Sequence, residues 1–176
     1  MICLGNELVR DDGVGIRVGR VLRRLELPEH VTVELRRTVG LELVEELRPD
    51  EAIVIVDAGQ TGRAPGTCTV LELDEAADLA QTPYCCHGVG ISEVLTLARK
   101  LFPDRMPLRA AVVVIEGVDF ESYEMTLTAE VEAALPEAVA VVLRTIGAPG
   151  ALEAAGRVEA ERWKGWSPSI TDLAEG

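Results

Sequence analysis

The fold is decided by the stretch Gly5-Asn6-Glu7-Leu8-Val9-Arg10-Asp11-Asp12-Gly13-Val14-Gly15. A short apolar run, 1–4, precedes it and an amphipathic segment, 16–25, follows it, an order that predicts a strand, a tight loop and a helix. The run is short for a strand, so we expect a truncated first strand or residues missing before Met1. An aspartate just before a helix can cap its free backbone N–H groups. Because a cap needs only one carboxylate, the second is available for other chemistry.

Composition favours one cytoplasmic α/β domain. The chain has 176 residues, 48% of them hydrophobic but only 3% aromatic, so the core must be built from aliphatic side chains. A net charge of −13 opposes binding to nucleic acid or to an anionic membrane surface. No apolar run approaches a membrane span, and no basic-then-apolar leader opens the sequence. The scattered cysteines are expected to be free thiols: Cys3, Cys68, Cys85 and Cys86.

Periodicity predicts strands that alternate with helices. The predicted strands are 1–4, 31–35, 52–56, 67–73 and 110–115, and the predicted helices are 16–25, 41–47, 91–102 and 127–146, with a break or restart at Pro136. The connection 60–66 is too short for a helical crossover, so the strand 67–73 is expected to run antiparallel to the others. These elements predict a three-layer α/β/α sandwich around a mostly parallel five-stranded sheet with one antiparallel strand.

Three side chains with catalytic or metal-binding chemistry follow elements of this predicted fold. Asp12 lies in the loop after the first strand, Asp57 follows the buried strand 52–56, and His87 precedes the helix 91–102. Functional crevices of such folds lie beyond the carboxyl ends of the strands, so all three can project into one crevice. Two carboxylates and an imidazole can bind a divalent transition metal or act as acid and base groups. The ordinary alternatives are a turn residue for Asp57 and a helix cap for Asp12.

Other motifs have competing interpretations. Gly13-x-Gly15 after a strand is typical of a dinucleotide-binding loop, but Asp11 and Asp12 would repel the pyrophosphate. The neighbouring Cys85 and Cys86 can be soft metal ligands or a nucleophile, although small packing residues are the favoured interpretation. The pair Glu116-Gly117 at the end of a strand can add a carboxylate to the crevice or simply cap the turn.

Taken together, these residues resemble the hydrogenase maturation endopeptidases, which process the large subunit of nickel–iron hydrogenases. The resemblance is carried by four features in chain order: Gly5-Asn6-x-x-x-x-Asp11-Asp12-Gly13-x-Gly15, the strand ending in Asp57, His87 before Gly90-Ile91-x-Glu93-Val94-Leu95, and Ile115-Glu116-Gly117. It covers a domain of residues 1–146. The tail 147–176, which holds Trp163 and Trp166, has no counterpart and is expected to be partly helical or disordered.

The resemblance implies a function and a site. Asp12, Asp57 and His87 match the family's metal-binding triad, which would serve as both the catalytic and the metal-contacting residues. The substrate is a large-subunit precursor that already carries nickel, and a monomeric endopeptidase removes its C-terminal extension after a basic residue. Zinc or cadmium can take the place of nickel on such ligands.

Two mechanisms and two other function classes stay open. The triad either binds a metal that activates water or recognises nickel held by the substrate while a carboxylate assists the water. The sequence lacks the His-Glu-x-x-His pattern of zinc proteases, which favours the second mechanism. A non-hydrolytic nickel-binding chaperone or delivery protein would use the same crevice. A nucleotide-binding module is the third class.

Overall fold

A computed structural model describes residues 1–72, 91–148 and 150–151 of the chain. The apolar runs form five strands: β1 (Ile2–Leu4), β2 (Glu34–Arg36), β3 (Ala52–Gly59), β4 (Cys68–Glu72) and β5 (Arg109–Glu116). The amphipathic segments form four helices: α1 (Val14–Leu22), α2 (Leu43–Glu46), α3 (Ile91–Leu101) and α4 (Ala129–Thr145). Within the described ranges, two short 3-10 helices cover Arg10–Gly13 and Pro103–Arg105.

The strands form one five-stranded sheet in the order β2-β1-β3-β5-β4. Neighbouring strands are parallel except β4, which runs antiparallel to β5. The β-branched run in β3 occupies the centre, where β1 and β5 cover both its edges, as expected for a strand buried on both faces. The predicted fold class, including the antiparallel strand, is confirmed.

Alternation along β3 divides the core into two layers. Val54, Val56 and Ala58 pack in a cluster with side chains of α1 and α4. Ile55 packs on the opposite face, in a cluster with side chains of α2 and α3. Since successive side chains of a strand point to opposite faces, helices cover both sides of the sheet and give the predicted sandwich.

Glycines let α1 lie directly on the sheet. A Cβ added to Gly15 would be 2.2 Å from the carbonyl oxygen of Leu4 and 2.7 Å from that of Val56. One turn later, a Cβ on Gly19 would be 2.8 Å from the Cβ of Cys3. The first turn of α1 therefore packs over the junction of β1 and β3, close to the carboxyl ends of both strands.

Gly15→Ala is expected to lower the free energy of unfolding by about 3 kcal/mol, because both obstructing atoms belong to the backbone and cannot rotate away. Gly150→Ala is the matched control, since a Cβ at Gly150 meets no atom within 4 Å. Chemical denaturation of the two variants measures the difference. Equal midpoints would show that α1 does not pack this closely on the sheet.

Some predicted boundaries were wrong. The predicted break at Pro136 is absent, and α4 continues through this exposed residue. Buried side chains on both sides of it, Leu135 and Ala138, hold the helix on the sheet and compensate for the lost backbone hydrogen bond. The second strand is shorter than 31–35 and begins at Glu34, and α1 ends at Leu22.

Several sequence predictions fall in segments that the structure does not describe. His87, Cys85 and Cys86 lie within 73–90, and the two tryptophans lie within 152–176. The division of the chain at residue 146 also stays a prediction, although Ala148 packs in the core on the side of α1 and α4. Among the helices described, none is both long and apolar enough to cross a bilayer.

Candidate active site

The candidate site lies where the strand order reverses. From β1 the chain first adds β2 on one side and then places β3 on the other, so a crevice opens between the carboxyl ends of β1 and β3. The loop after β1 folds back tightly, and the backbone N–H of Asn6 donates to the carbonyl oxygen of Asp12 at 3.3 Å. Gly5 has a φ of 145°, and a Cβ there would be 2.1 Å from that same oxygen. Only glycine permits this return of the loop.

Asp12 lies in the 3-10 turn between β1 and α1, and only 5% of it is exposed. The turn contacts the β3 strand. The N-cap position of α1 is Gly13, one residue after Asp12, so Asp12 does not occupy the position from which a side chain normally caps a helix. The 3-10 turn places both aspartates before the cap position.

Asp57 lies inside β3 rather than directly after it, and is 1% exposed. The strand is longer than predicted because Ala58 and Gly59 continue the pairing with β5. One carboxylate oxygen, Oδ1, accepts a hydrogen bond from the backbone N–H of Ala58 at 2.9 Å. By strand alternation Asp57 shares the face of Ile55, which is the side of the sheet that α3 covers.

The structure places the turn that carries Asp12 beside β3, which carries Asp57. A shared site for these two residues and His87 stays a prediction. Within the described ranges, 1–72, 91–148 and 150–151, no group of three His, Cys, Asp or Glu side chains could hold a metal ion. The two carboxylates therefore need a further donor. His87 precedes α3, whose first residue, Ile91, packs in the same apolar cluster as Leu4 and Ile55. This connection is compatible with an imidazole at the crevice.

Asp11 holds the loop after β1 against the segment that joins β5 to α4. Its buried carboxylate accepts hydrogen bonds from the backbone N–H groups of Val118 (2.9 Å), Asp119 (3.1 Å) and Thr128 (2.7 Å). The Thr128 hydroxyl donates a further bond at 2.9 Å. Sequence reasoning missed this role because the partners lie more than a hundred residues away and nothing local distinguishes Asp11 from Asp12.

Glu116 performs a similar task for the turn after β3. Its carboxylate accepts hydrogen bonds from the backbone N–H groups of Thr61 (2.7 Å), Gly62 (2.8 Å) and Arg63 (3.2 Å). Glu116 therefore caps a turn, as one of its two interpretations had it, but this turn follows β3 and not its own strand. Asp11 and Glu116 thus fix the segments that carry Asp12 and Asp57, and both connect them to the carboxyl end of β5.

Arg10 adds an ionic contact between the loop after β1 and the segment that joins β5 to α4. Its φ of 33° is unusual for a residue with a side chain, and its backbone N–H donates to the carbonyl oxygen of Glu124 at 2.9 Å. The guanidinium lies 3.5 Å from the Asp119 carboxylate and 3.4 Å from that of Glu124. Hydrogen bonds, above all from the backbone N–H of Ser122, lower the pKa of Asp119 to about 2. The 119–124 segment is therefore held by several independent contacts.

Glu7 and Arg17 attach the loop to α1 from the other side. The Glu7 carboxylate forms an ion pair with Arg20 at 2.9 Å and lies 3.7 Å from Nε of Arg17. Arg17 Nη2 donates to the carbonyl oxygen of Met125 at 2.7 Å, and burial lowers the pKa of this guanidinium. The loop that carries Asp12 is consequently preorganised before any substrate arrives.

Known proteins resemble the chain over most of its length. The family model for hydrogenase maturation proteases matches residues 16–145. The chain belongs to the hydrogenase maturation protease family. It is 31% identical over 151 residues to the hydrogenase 2 maturation protease of Escherichia coli strain K12, covering 84% of this chain and 89% of that protein. It is 30% identical over 145 residues to the hydrogenase expression/formation protein HupD of Rhizobium leguminosarum bv. viciae, covering 81% and 71%.

Solved structures of the family have the same fold. The hydrogenase maturating endopeptidase HybD from Escherichia coli superposes with a TM-score of 0.70 at 29% identity, covering 85% of this chain and 91% of that one. The maturation protease HybD from Thermococcus kodakarensis gives a TM-score of 0.65 at 26% identity, covering 82% and 95%. The family resemblance inferred from the sequence motifs is confirmed.

The cysteines described for this maturation protease are unsuited to nucleophilic catalysis. Burial raises the pKa of the Cys3 thiol to about 12 and that of Cys68 to about 11. Both thiols are therefore protonated at neutral pH, whereas a cysteine nucleophile reacts as the thiolate. Hydrolysis by this family member must rely on other groups, and the buried carboxylates of the crevice are the candidates on the described part of the chain.

Asp11→Asn is expected to lower the free energy of unfolding by about 3 kcal/mol, because an amide NH2 would face backbone N–H groups that now donate to a carboxylate. Glu121→Gln, an exposed change in the neighbouring segment, is expected to stay within about 0.5 kcal/mol of the native protein. Urea unfolding monitored by circular dichroism measures both values. A native-like Asp11→Asn variant would contradict the role given to this carboxylate.

Proposed function

We propose that this protein is an endopeptidase that removes a C-terminal extension from the nickel-loaded precursor of a nickel–iron hydrogenase large subunit. The main support is the pair of buried carboxylates, Asp12 and Asp57, at the point of the sheet where ligands bind in such folds. Membership of the hydrogenase maturation protease family supplies the substrate class. Residues 1–146 would form the catalytic domain.

Nickel enters this proposal as part of the substrate. Asp12, Asp57 and His87 offer two carboxylate groups and one imidazole, a donor set that suits nickel, zinc or cadmium when water or substrate ligands complete the coordination. Contact with nickel already held by the precursor would bring the scissile peptide bond to the carboxylates. Binding would thereby position the reacting groups, which converts recognition into rate acceleration.

The carboxylates also supply the acid–base chemistry. Either Asp12 or Asp57 would take a proton from a water molecule as its oxygen attacks the scissile carbonyl carbon. The same group would then return this proton to the nitrogen of the departing amine as the peptide bond breaks. The preorganised loops around both residues keep them in place for this transfer.

Binding of metal from solution is expected to be weak and to be lost as pH falls. A proton competes with the metal for the imidazole of His87, whose unperturbed pKa is about 6.5, so affinity decreases as pH drops below that value. Isothermal titration calorimetry with cadmium at several pH values measures how the affinity changes. If Asp57→Asn bound cadmium as tightly as the native protein, Asp57 would not be a ligand.

Incubation with a nickel-loaded precursor, followed by intact-mass measurement, tests the proposed function. We expect one new product that is shorter by the C-terminal extension, while precursor alone keeps its mass. A precursor that binds the protein and keeps its full length would contradict the proposal. That outcome would favour the non-hydrolytic chaperone or delivery protein.

A further inference from the structure

Large apolar side chains are exposed in loops at the same edge of the sheet as the candidate site. They follow the carboxyl ends of β2, β1 and β5, and we call them the apolar rim: Leu41, Leu8, Val118 and Tyr123. Backbone hydrogen bonds from Arg10 to Glu124 and from Asp11 to Asp119 join the loop that carries Leu8 to the segment that carries Val118 and Tyr123. Exposed apolar side chains on adjoining loops are typical of surfaces that another molecule covers. Tyr123 is the extreme case, with 87% of its surface exposed.

Tyr123 is displayed by a segment that is held in place. Oδ1 of Asp119 accepts hydrogen bonds from the backbone N–H groups of Glu121 (3.1 Å) and Ser122 (2.9 Å). Arg10 contacts the carboxylates of Asp119 and Glu124 on either side. A rigid loop that exposes a tyrosine loses little conformational entropy on association, and tyrosines are enriched among residues that dominate binding energy.

The rim lies on both sides of the crevice. Leu41 follows β2 and Tyr123 follows β5, and these strands lie on opposite sides of β1 and β3 in the sheet. Adjacent strands are about 4.8 Å apart, so β2 and β5 are separated by roughly 14 Å. About four residues of extended peptide span this distance, so a peptide that crosses the crevice can contact two of these loops. The rim follows three different strands, and a folded surface can contact all three loops at once.

We infer that the apolar rim docks the folded body of the large-subunit precursor while the crevice receives its nickel and cleavage segment. This inference rests on the proposed function. The segment around Tyr123 carries the carboxylates of Asp119, Glu121 and Glu124, and its charge stays negative although Arg10 contacts two of them. The complementary surface of the precursor is therefore an apolar patch flanked by lysine or arginine.

Calorimetric titration tests the rim directly, with a nickel-loaded precursor that carries proline immediately after the scissile bond, so that the precursor stays intact and Asp57 keeps its proposed contact with nickel. The parent is the protein with its native sequence. Tyr123→Ala is expected to raise the Kd for nickel-loaded precursor about tenfold or more. Leu108→Ala is the matched control, because Leu108 is 78% exposed but lies next to the amino end of β5, and its Kd should stay within about twofold of the parent. Equal Kd values for the two variants would overturn the inference.

Two further binding experiments distinguish docking of the precursor's folded body from other contacts. A synthetic peptide of the C-terminal extension alone should bind equally to the parent and to Tyr123→Ala, or to neither. Equal weakening of peptide and precursor would place Tyr123 on the extension and overturn the inference. Glu121→Lys should weaken precursor binding more than Glu121→Gln, and no difference between them would contradict the basic flank.

Different experimental outcomes would refute the proposed function and this inference. If native protein binds the precursor in a manner that depends on Tyr123 but never shortens it, the endopeptidase activity is refuted and the docking surface stands. If native protein shortens the precursor and Tyr123→Ala binds and cuts like Leu108→Ala, the activity stands and the docking surface is refuted.

Discussion

Asp57→Asn is expected to abolish cleavage of the large-subunit precursor while the fold is retained. The amide keeps the size of the side chain, and its Oδ1 can still accept the hydrogen bond from the Ala58 N–H. It loses the two properties that the proposal assigns to Asp57, a negative charge for contact with metal and the ability to take a proton from water. Loss of such a group lowers kcat/KM by at least about 10³-fold. Single-turnover digestion with mass spectrometry measures the rate.

Asp12→Asn and His87→Ala are expected to have the same effect, because the proposal gives all three residues one shared site. Asp50→Asn is the matched control, since Asp50 is an exposed carboxylate next to the amino end of β3, at the opposite edge of the sheet. It should cleave at the native rate. Cleavage by Asp57→Asn at a rate similar to that of Asp50→Asn would remove Asp57 from the catalytic site.

The sequence was sufficient to predict the parts of the fold that depend on repeated local patterns. The β-branched run of β3 and the antiparallel return of β4 follow from side-chain periodicity and connection length. The position of Asp57 near the carboxyl end of β3 could be predicted as well, although β3 continues for two residues beyond it. These predictions needed no knowledge of distant contacts.

The different roles of Asp11 and Asp12 could not be predicted in the same way. Both aspartates have the same chemistry and adjacent positions, and only the N–H groups that follow β5 decide which one becomes structural. At Pro136 the local sequence was misleading, because packing of α4 on the sheet overrides the preference of proline to end a helix. Tertiary contacts decided both cases.

Precursor without nickel is expected to bind poorly and to be cut at least about 100-fold more slowly than nickel-loaded precursor. The chain has few aromatic side chains for a deep specificity pocket, with two Phe, two Tyr and two Trp in all. Recognition of the residues beside the cut is therefore expected to be modest. Nickel would offer a larger contribution, since the contacts proposed for it with Asp12 and Asp57 would form only with a metal-loaded precursor. The same contacts would align the scissile bond with the carboxylates.

Paired digestion of nickel-free and nickel-loaded precursor at equal enzyme concentration, followed by intact-mass spectrometry, tests this gating most directly. The Asp57→Asn variant serves as the control for cleavage by contaminating proteases. We expect the nickel-loaded precursor to lose its C-terminal extension and the nickel-free precursor to keep its full mass. Equal cleavage of both precursors would contradict recognition of substrate-held nickel by Asp12, Asp57 and His87.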